Sequence, residues 1–279
     1  MTSWRNLSEE LDAWAGAGRS ATLWWRDDDA VEPSPELARL LALACARDLP
    51  LALAVIPARA SQALAEWLKA HPARPALVQH GYAHRNHAAD DEKKAELGAQ
   101  RPADVVIEEL ARGWQRMTAL FGEAWAPVLV PPWNRIAERL VAELAGLGFR
   151  GLSTHGPRAA AEPAPGLVQV NTHLDIMHWP PPRGFLGEAE SLEILVARLR
   201  ARRLGEADAA EPTGLLTHHP AHDAAAWAFL EALLDRLTGH PAARFVEAGE
   251  AFARAVDPPA QETAHQRAAC QGAECQGAE

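Results

Sequence analysis

Residues 21–29 read Ala-Thr-Leu-Trp-Trp-Arg-Asp-Asp-Asp, a short apolar run ending in Arg26-Asp27-Asp28-Asp29. An apolar run of this length reads as a buried strand. The pattern returns along the chain. His80-Gly81-Tyr82-Ala83-His84 follows residues 76–79, Pro131-Pro132-Trp133-Asn134-Arg135 follows residues 128–130, and His218-His219 follows residues 214–217. In sheets built from strand–helix repeats, the C-terminal ends of the strands converge on one face, where sites are assembled. Carboxylates and several histidines therefore meet in one place, a combination suited to metal-dependent hydrolysis.

Between these clusters the chain alternates. Ser34-Pro35 is a helix start, with Ser as N-cap and Pro at the first helical position, leading into residues 36–47. Extended segments are expected at 51–56, 76–79, 128–130, 149–153, 167–171, 214–217 and 244–247. Helices are expected at 61–70, 104–121, 135–147, 191–203 and 224–238. Such alternation implies a parallel sheet with helical crossovers. The fold class predicted is α/β, a distorted and incomplete (β/α) barrel of about seven parallel strands over residues 1–256. Neither a Gly-x-Gly-x-x-Gly nor a phosphate-loop motif follows the first strand, which argues against nucleotide binding. Residues 257–279 are rich in Ala, Gln, Glu and Gly and repeat Cys-Gln-Gly-Ala-Glu. They read as a disordered tail without a catalytic role.

The net charge of −10 argues against nucleic acid as a partner, because phosphate binding needs a basic surface. The local basic run Arg198-Leu199-Arg200-Ala201-Arg202-Arg203 ends a helical segment and reads as a solvated helix end. No apolar run approaches the roughly 20 residues that span a bilayer, so no membrane partner is expected. The cysteines, Cys45, Cys270 and Cys275, are odd in number and no secretory signal is visible, which fits the reducing cytoplasm. Ten Trp stand against one Tyr. Some suit a pocket for a flat or sugar-like ligand, while most belong to the core.

His80 and His84, four residues apart after a strand, can present both imidazoles on one side. Alone, such a pair reads more simply as one core histidine and one solvated one. A triple Asp at an equivalent strand end tips the reading to metal. Three adjacent carboxylates repel one another unless a cation neutralises them, whereas an N-capping loop ahead of Ser34 needs only one. One carboxylate plus two His leaves an open position for water, the layout of a catalytic zinc site. A neighbouring Asp can then act as general base. Successive residues of a strand point to opposite faces, so only one of His218 and His219 reaches the site, as general acid. Trp133 and Asn134 sit on a rigid loop able to wall a pocket, with the Asn134 amide offered to substrate. Asp175 ends the stretch Asn171-Thr172-His173-Leu174-Asp175 and is placed to hold a His or Arg, or simply to make a turn.

These residues, in this order, resemble the polysaccharide deacetylase family of carbohydrate esterases. That family shows Thr-Phe-Asp-Asp-Gly, then His-Ser/Thr-x-x-His, then Arg-x-Pro-x-Gly, and later Leu-His. The corresponding stretches here are 26–29, 80–84, 130–134 and 216–219, and the resemblance spans about residues 20–250. It implies a divalent metal, zinc foremost, and a small-molecule or oligosaccharide substrate bearing an N-acetyl or other acyl group. A soluble intracellular sugar is the expectation for a chain without a signal. A non-sugar amide, or an inactive sugar-binding barrel, are the alternatives. Two registers fit the first motif. With Arg26 at the Thr position, Asp28 is the base, Asp29 the metal ligand alongside His80 and His84, and Asp27 a supporting group. With Arg26 at the Phe position, Asp27 is the base and Asp28 the ligand. The first keeps a small residue, Ala30, after the Asp pair and is preferred. Val130 stands where the family has Arg, so Arg26 or Arg135 has to substitute, and Gly81 replaces the Ser/Thr hydroxyl.

Overall fold

The computed structural model describes residues 2–253, so the tail expected to be disordered lies outside the described residues. The first half runs α1 (Trp4–Gly16), β1 (Ala21–Ala30), α2 (Pro35–Ala46), β2 (Ala52–Val55), α3 (Gln62–Ala70) and β3 (Ala76–His80). It continues through α4 (Ala103–Phe121), β4 (Trp125–Val130), α5 (Glu138–Leu144), β5 (Gly151–Leu152) and β6 (Val168–Gln169). Then come β7 (Leu174–Asp175), β8 (Met177–His178) and β9 (Gly184–Phe185). The chain goes on with α6 (Glu188–Leu204), β10 (Thr213–Thr217), α7 (Ala224–Thr238), β11 (Ala243–Phe245) and α8 (Ala248–Ala251).

The main sheet has the order β6-β5-β4-β3-β2-β1-β10-β7, with β11 also paired to β1. Every pairing in it is parallel. Its two end strands, β6 and β7, are separated in the chain only by residues 170–173. One continuous segment thus pairs with β5 on one side and β10 on the other, and the sheet curls into the expected distorted barrel. β8 and β9 form a separate antiparallel ribbon.

Side-chain alternation divides the barrel into two cores. Trp24 packs inside with Ala52, Val168, Val170 and Val246. Ala54, Val78, Val128 and Val130 continue that inner layer, and Phe252 packs against both groups. Leu23, Trp25, Leu53, Val55, Leu77 and Leu129 face outward into the layer under the helices. Trp24 and Trp25 are each 1% exposed, so both lie in core. Burying a large apolar side chain contributes about 1.5–3 kcal/mol, which makes β1 a principal anchor of both layers.

The helix starts follow the local chemistry. Ser34 Oγ accepts from the Leu37 amide at 3.1 Å, and Ser61 Oγ accepts from the Leu64 amide at 3.1 Å. One expectation is overturned: Arg198 and Arg202, in the basic run of α6, are buried rather than solvated. Arg198 donates to the buried Glu211 at 2.8 Å, and Arg202 donates to Thr22 and Thr213. Their partners arrive from distant strands and loops, which the local run of arginines does not reveal. Arg203 pairs with Glu10 on α1 at 2.7 Å, closing the helix layer at that point.

Candidate metal centre and the groups around it

Alternation along β1 separates the three aspartates. Asp27 shares the outward face with Leu23 and Trp25, while Asp28 shares the inward face with Trp24 and Arg26. Asp29 breaks the alternation with a φ of 77°, a left-handed conformation that Asp tolerates better than most side chains. Its Oδ1 lies 3.3 Å from Nε2 of His80 and 3.3 Å from Nε2 of His84. Among the described residues these three form a group able to hold an ion, with one ligand atom from each all within 4.8 Å of one another.

The fit to a cation rests on hydrogen bonding. His80 Nδ1 is 2.9 Å from the Val130 carbonyl, which can only accept, so the proton sits on Nδ1. In the neutral ring the Nε2 lone pair then faces Asp29 Oδ1. That oxygen is itself buried and receives no hydrogen bond. Electron-rich atoms turned toward one another leave a place for positive charge. The carbonyl behind His80 is the kind of outer support that fixes a ligand's tautomer. Burial opposes the Asp29 charge, but the neighbouring His80, His218 and His84 hold its carboxyl far below the usual range. Burial depresses His80, yet Asp28 and Asp29 outweigh it and raise that imidazole. Burial, with the His80 charge, lowers His84.

Arg26 is fully buried and grips Asp28 with two bonds, Nε to Oδ1 at 2.8 Å and Nη2 to Oδ2 at 3.0 Å. Its other contacts run across the barrel mouth, to Ser153 Oγ at 2.6 Å and Asn134 Oδ1 at 2.7 Å. Arg26 therefore stands against the carboxylate, whereas Arg135 turns to the exterior and donates to the Lys94 carbonyl. Asn134 is present at the mouth, but its amide oxygen is committed to Arg26.

His218 and His219 lie just past the end of β10, where the chain enters a short turn at His219–Ala221, and the two rings meet different partners. His218 places Nε2 3.9 Å from Asp28 Oδ2 and Nδ1 3.7 Å from Asp175 Oδ1. Asp175 is oriented by the Met177 amide at 3.0 Å and by Trp179 Nε1 at 2.7 Å. His219 instead contacts Asp27 through Nδ1 at 2.5 Å, and its amide and Thr217 Oγ1 also donate to Asp27. Burial pushes the Asp27 carboxyl up, but the His219 charge and the His219 and Thr217 hydrogen bonds win and lower it. Asp27 and His219 thus form a pair behind the site. Trp133 lies against His84, with ring centroids 4.3 Å apart, and Trp179 meets His218 edge-on at 4.6 Å. Sequence reasoning missed Ser153, Trp179 and the fully buried Glu96, whose carboxylate accepts from backbone amides of the loop carrying His84.

No protein-family model matches the chain, and no curated protein matches it. Solved structures do. A protein of Mycobacterium smegmatis assigned as a polysaccharide deacetylase superposes with a TM-score of 0.61 at 17% identity, over 84% of this chain and 90% of that one. A family 4 carbohydrate esterase from Streptomyces lividans, in complex with acetate, gives 0.51 at 17% identity over 78% and 88%. A CE4-family pseudoenzyme from Bacillus anthracis gives 0.54 at 13% identity over 84% and 66%. The chain has the fold of the polysaccharide deacetylases, with a strongly divergent sequence.

Proposed function

We propose that this chain is a divergent polysaccharide deacetylase: a metal-dependent hydrolase that removes an acyl group, N-acetyl foremost, from a sugar or related small substrate. The observation carrying this reading is Asp29 Oδ1, buried without a donor and facing Nε2 of both His80 and His84. Two imidazoles and one carboxylate suit zinc first among divalent ions. Such an ion, when bound, polarises an acyl carbonyl and lowers the pKa of water.

The remaining steps belong to this chain's side chains. Asp28 takes the proton of the attacking water, since each of its oxygens keeps a lone pair beyond the one given to Arg26. Arg26 fixes the carboxylate plane by its two parallel bonds, and Ser153 and Asn134 fix Arg26 in turn. His218 protonates the leaving nitrogen or oxygen from Nε2, with Asp175 Oδ1 3.7 Å from its Nδ1 on the other side of the ring. Trp133 and Trp179 flank the mouth and offer faces to a sugar ring.

An inactive sugar-binding barrel is the alternative that the similarity to a pseudoenzyme keeps in play, whereas Arg26 held on Asp28 supports the active reading. No helix among the described residues is long and apolar enough to cross a membrane. The test is acetate release from N-acetylated amino sugars and short oligosaccharides by zinc-loaded protein. Metal-dependent release, lost on adding a chelator, supports a deacetylase. If no N- or O-acetylated substrate yields acetate while sugars still raise the melting temperature, the chain is a sugar-binding barrel.

A further inference from the structure

The loop that carries His84 is organised by a carboxylate that plays no part in the reaction above. Glu96 is 0% exposed and sits between the buried Ala95 and Leu97, just after the exposed charged run 90–94. Its Oε2 accepts from the Tyr82 amide at 3.0 Å, and its Oε1 accepts from the amides of Ala83 at 2.8 Å and Arg85 at 3.3 Å. These donors bracket His84 in sequence, and His84 itself sits at a φ of 54°. A non-glycine residue in that region costs energy unless its surroundings enforce it. The amides clamped on both sides supply that enforcement.

The same carboxylate explains Gly81. The residue lies at a φ of 55°, and a Cβ built on it would come within 2.1 Å of Glu96 Oε2 and 2.5 Å of Pro132 Cδ. A side chain at position 81 and the carboxylate of Glu96 therefore exclude one another. All the donors to Glu96 are backbone amides, so its charge is dispersed over amide dipoles close to His84. A buried anion is costly unless positive charge lies close by, and Arg101, which donates to the Glu96 carbonyl, is near enough to interact with it. A divalent ion held by Asp29, His80 and His84 would add to that charge.

We propose that Glu96 is a positioning residue for metal binding: it locks the 82–85 loop so that His84 Nε2 stays aimed at the ion, and Gly81 is glycine to admit it. This rests on the metal-site reading. The experiment titrates Co²⁺, whose visible absorption reports ligand geometry, into metal-free wild type, Glu96→Gln, Glu96→Ala, Gly81→Ala and His80→Ala, alongside the melting temperature of each metal-free protein. Wild type is expected to bind with a tetrahedral-type spectrum, and His80→Ala to lose it. Glu96→Gln should weaken Co²⁺ binding about 10-fold and Glu96→Ala and Gly81→Ala up to about 100-fold, the range for outer-shell partners, with an altered spectrum. Glu96→Gln keeps the size of the side chain but turns an NH2 toward one of these amides, so its metal-free melting temperature should fall, though less than that of Glu96→Ala. If the Glu96 variants melt lower yet bind Co²⁺ with wild-type affinity and spectrum, Glu96 is merely structural and the proposal falls. If wild type binds no Co²⁺, or His80→Ala binds as well as wild type, the metal-site reading itself fails.

Discussion

Arg26 and Asp28, two residues apart on the inward face of β1, are joined by bonds of 2.8 and 3.0 Å with both side chains buried. Residues i and i+2 of a strand share a face, so one strand supplies both the carboxylate and the arginine that orients it. The arginine expected after β4 is Val130, whose side chain fills the inner core instead. This arrangement places Arg26 and the proposed base, Asp28, on the same strand.

Arg26→Lys should therefore not be conservative. Lysine cannot reproduce the bidentate fork or the bonds to Ser153 and Asn134. Turnover should fall by at least tenfold with bound metal retained. Asp28→Asn should lose about 10²–10⁴ in rate, the usual value of one acid–base group, and also retain metal. Steady-state kinetics together with metal content of the purified variants checks both. Loss of metal in Asp28→Asn would instead favour the register in which Asp28 is a ligand.

His218 and His219 should differ in kind. His218→Ala should slow turnover about 10²–10⁴ with little change in stability. His219→Ala removes a bond to the buried Asp27 and should cost about 1–3 kcal/mol in urea denaturation. Equal effects of the two substitutions on both readouts would mean that the division of roles is wrong.

Acid should destabilise the protein above the range where carboxylates titrate. His222 is pushed down from 6.5 to about 4, chiefly by burial, with Asp27 opposing and His218 and His219 adding to it. Its Nε2 accepts from the His218 amide at 3.3 Å. Between those pH values the unfolded chain binds a proton that the folded one does not, so stability falls as pH drops through this window. At about 1.4 kcal/mol per unit, the full loss from this group is at most about 3.5 kcal/mol. His84, His155 and His173 are also depressed by burial and add loss of the same sign. Urea midpoints followed from about pH 6.5 to about pH 4.5 should decline, and His222→Gln should decline less steeply. An equal slope in the variant would remove His222 from the account.

Much of this was legible because the signals are local. The apolar run of β1 leads directly into the Asp cluster, and the order of the Asp and His clusters along the chain is written in the sequence. The caps at Ser34 and Ser61 are written in single residues. Other features depend on partners remote in sequence. β7 is two residues long and is defined only by pairing with β10, so it carries no periodicity to read. Glu96 lies in Asp-Asp-Glu-Lys-Lys-Ala-Glu, a composition that reads as solvated. Only the apolar neighbours Ala95 and Leu97, both buried, hint that this segment folds inward. Arg198 and Arg202 likewise look like a helix end facing water until Glu211 and Thr213 arrive beside them.

The central claim is that Asp29, His80 and His84 hold a divalent ion, and elemental analysis of the purified protein tests it most directly. Wild type should carry about one zinc or similar ion per chain, removable by a chelator, while His80→Ala, His84→Ala and Asp29→Asn should carry far less, since losing a ligand costs more than the ~10–100-fold of an outer-shell change. Full stoichiometric metal in all these variants, or none in wild type after incubation with zinc, would contradict it.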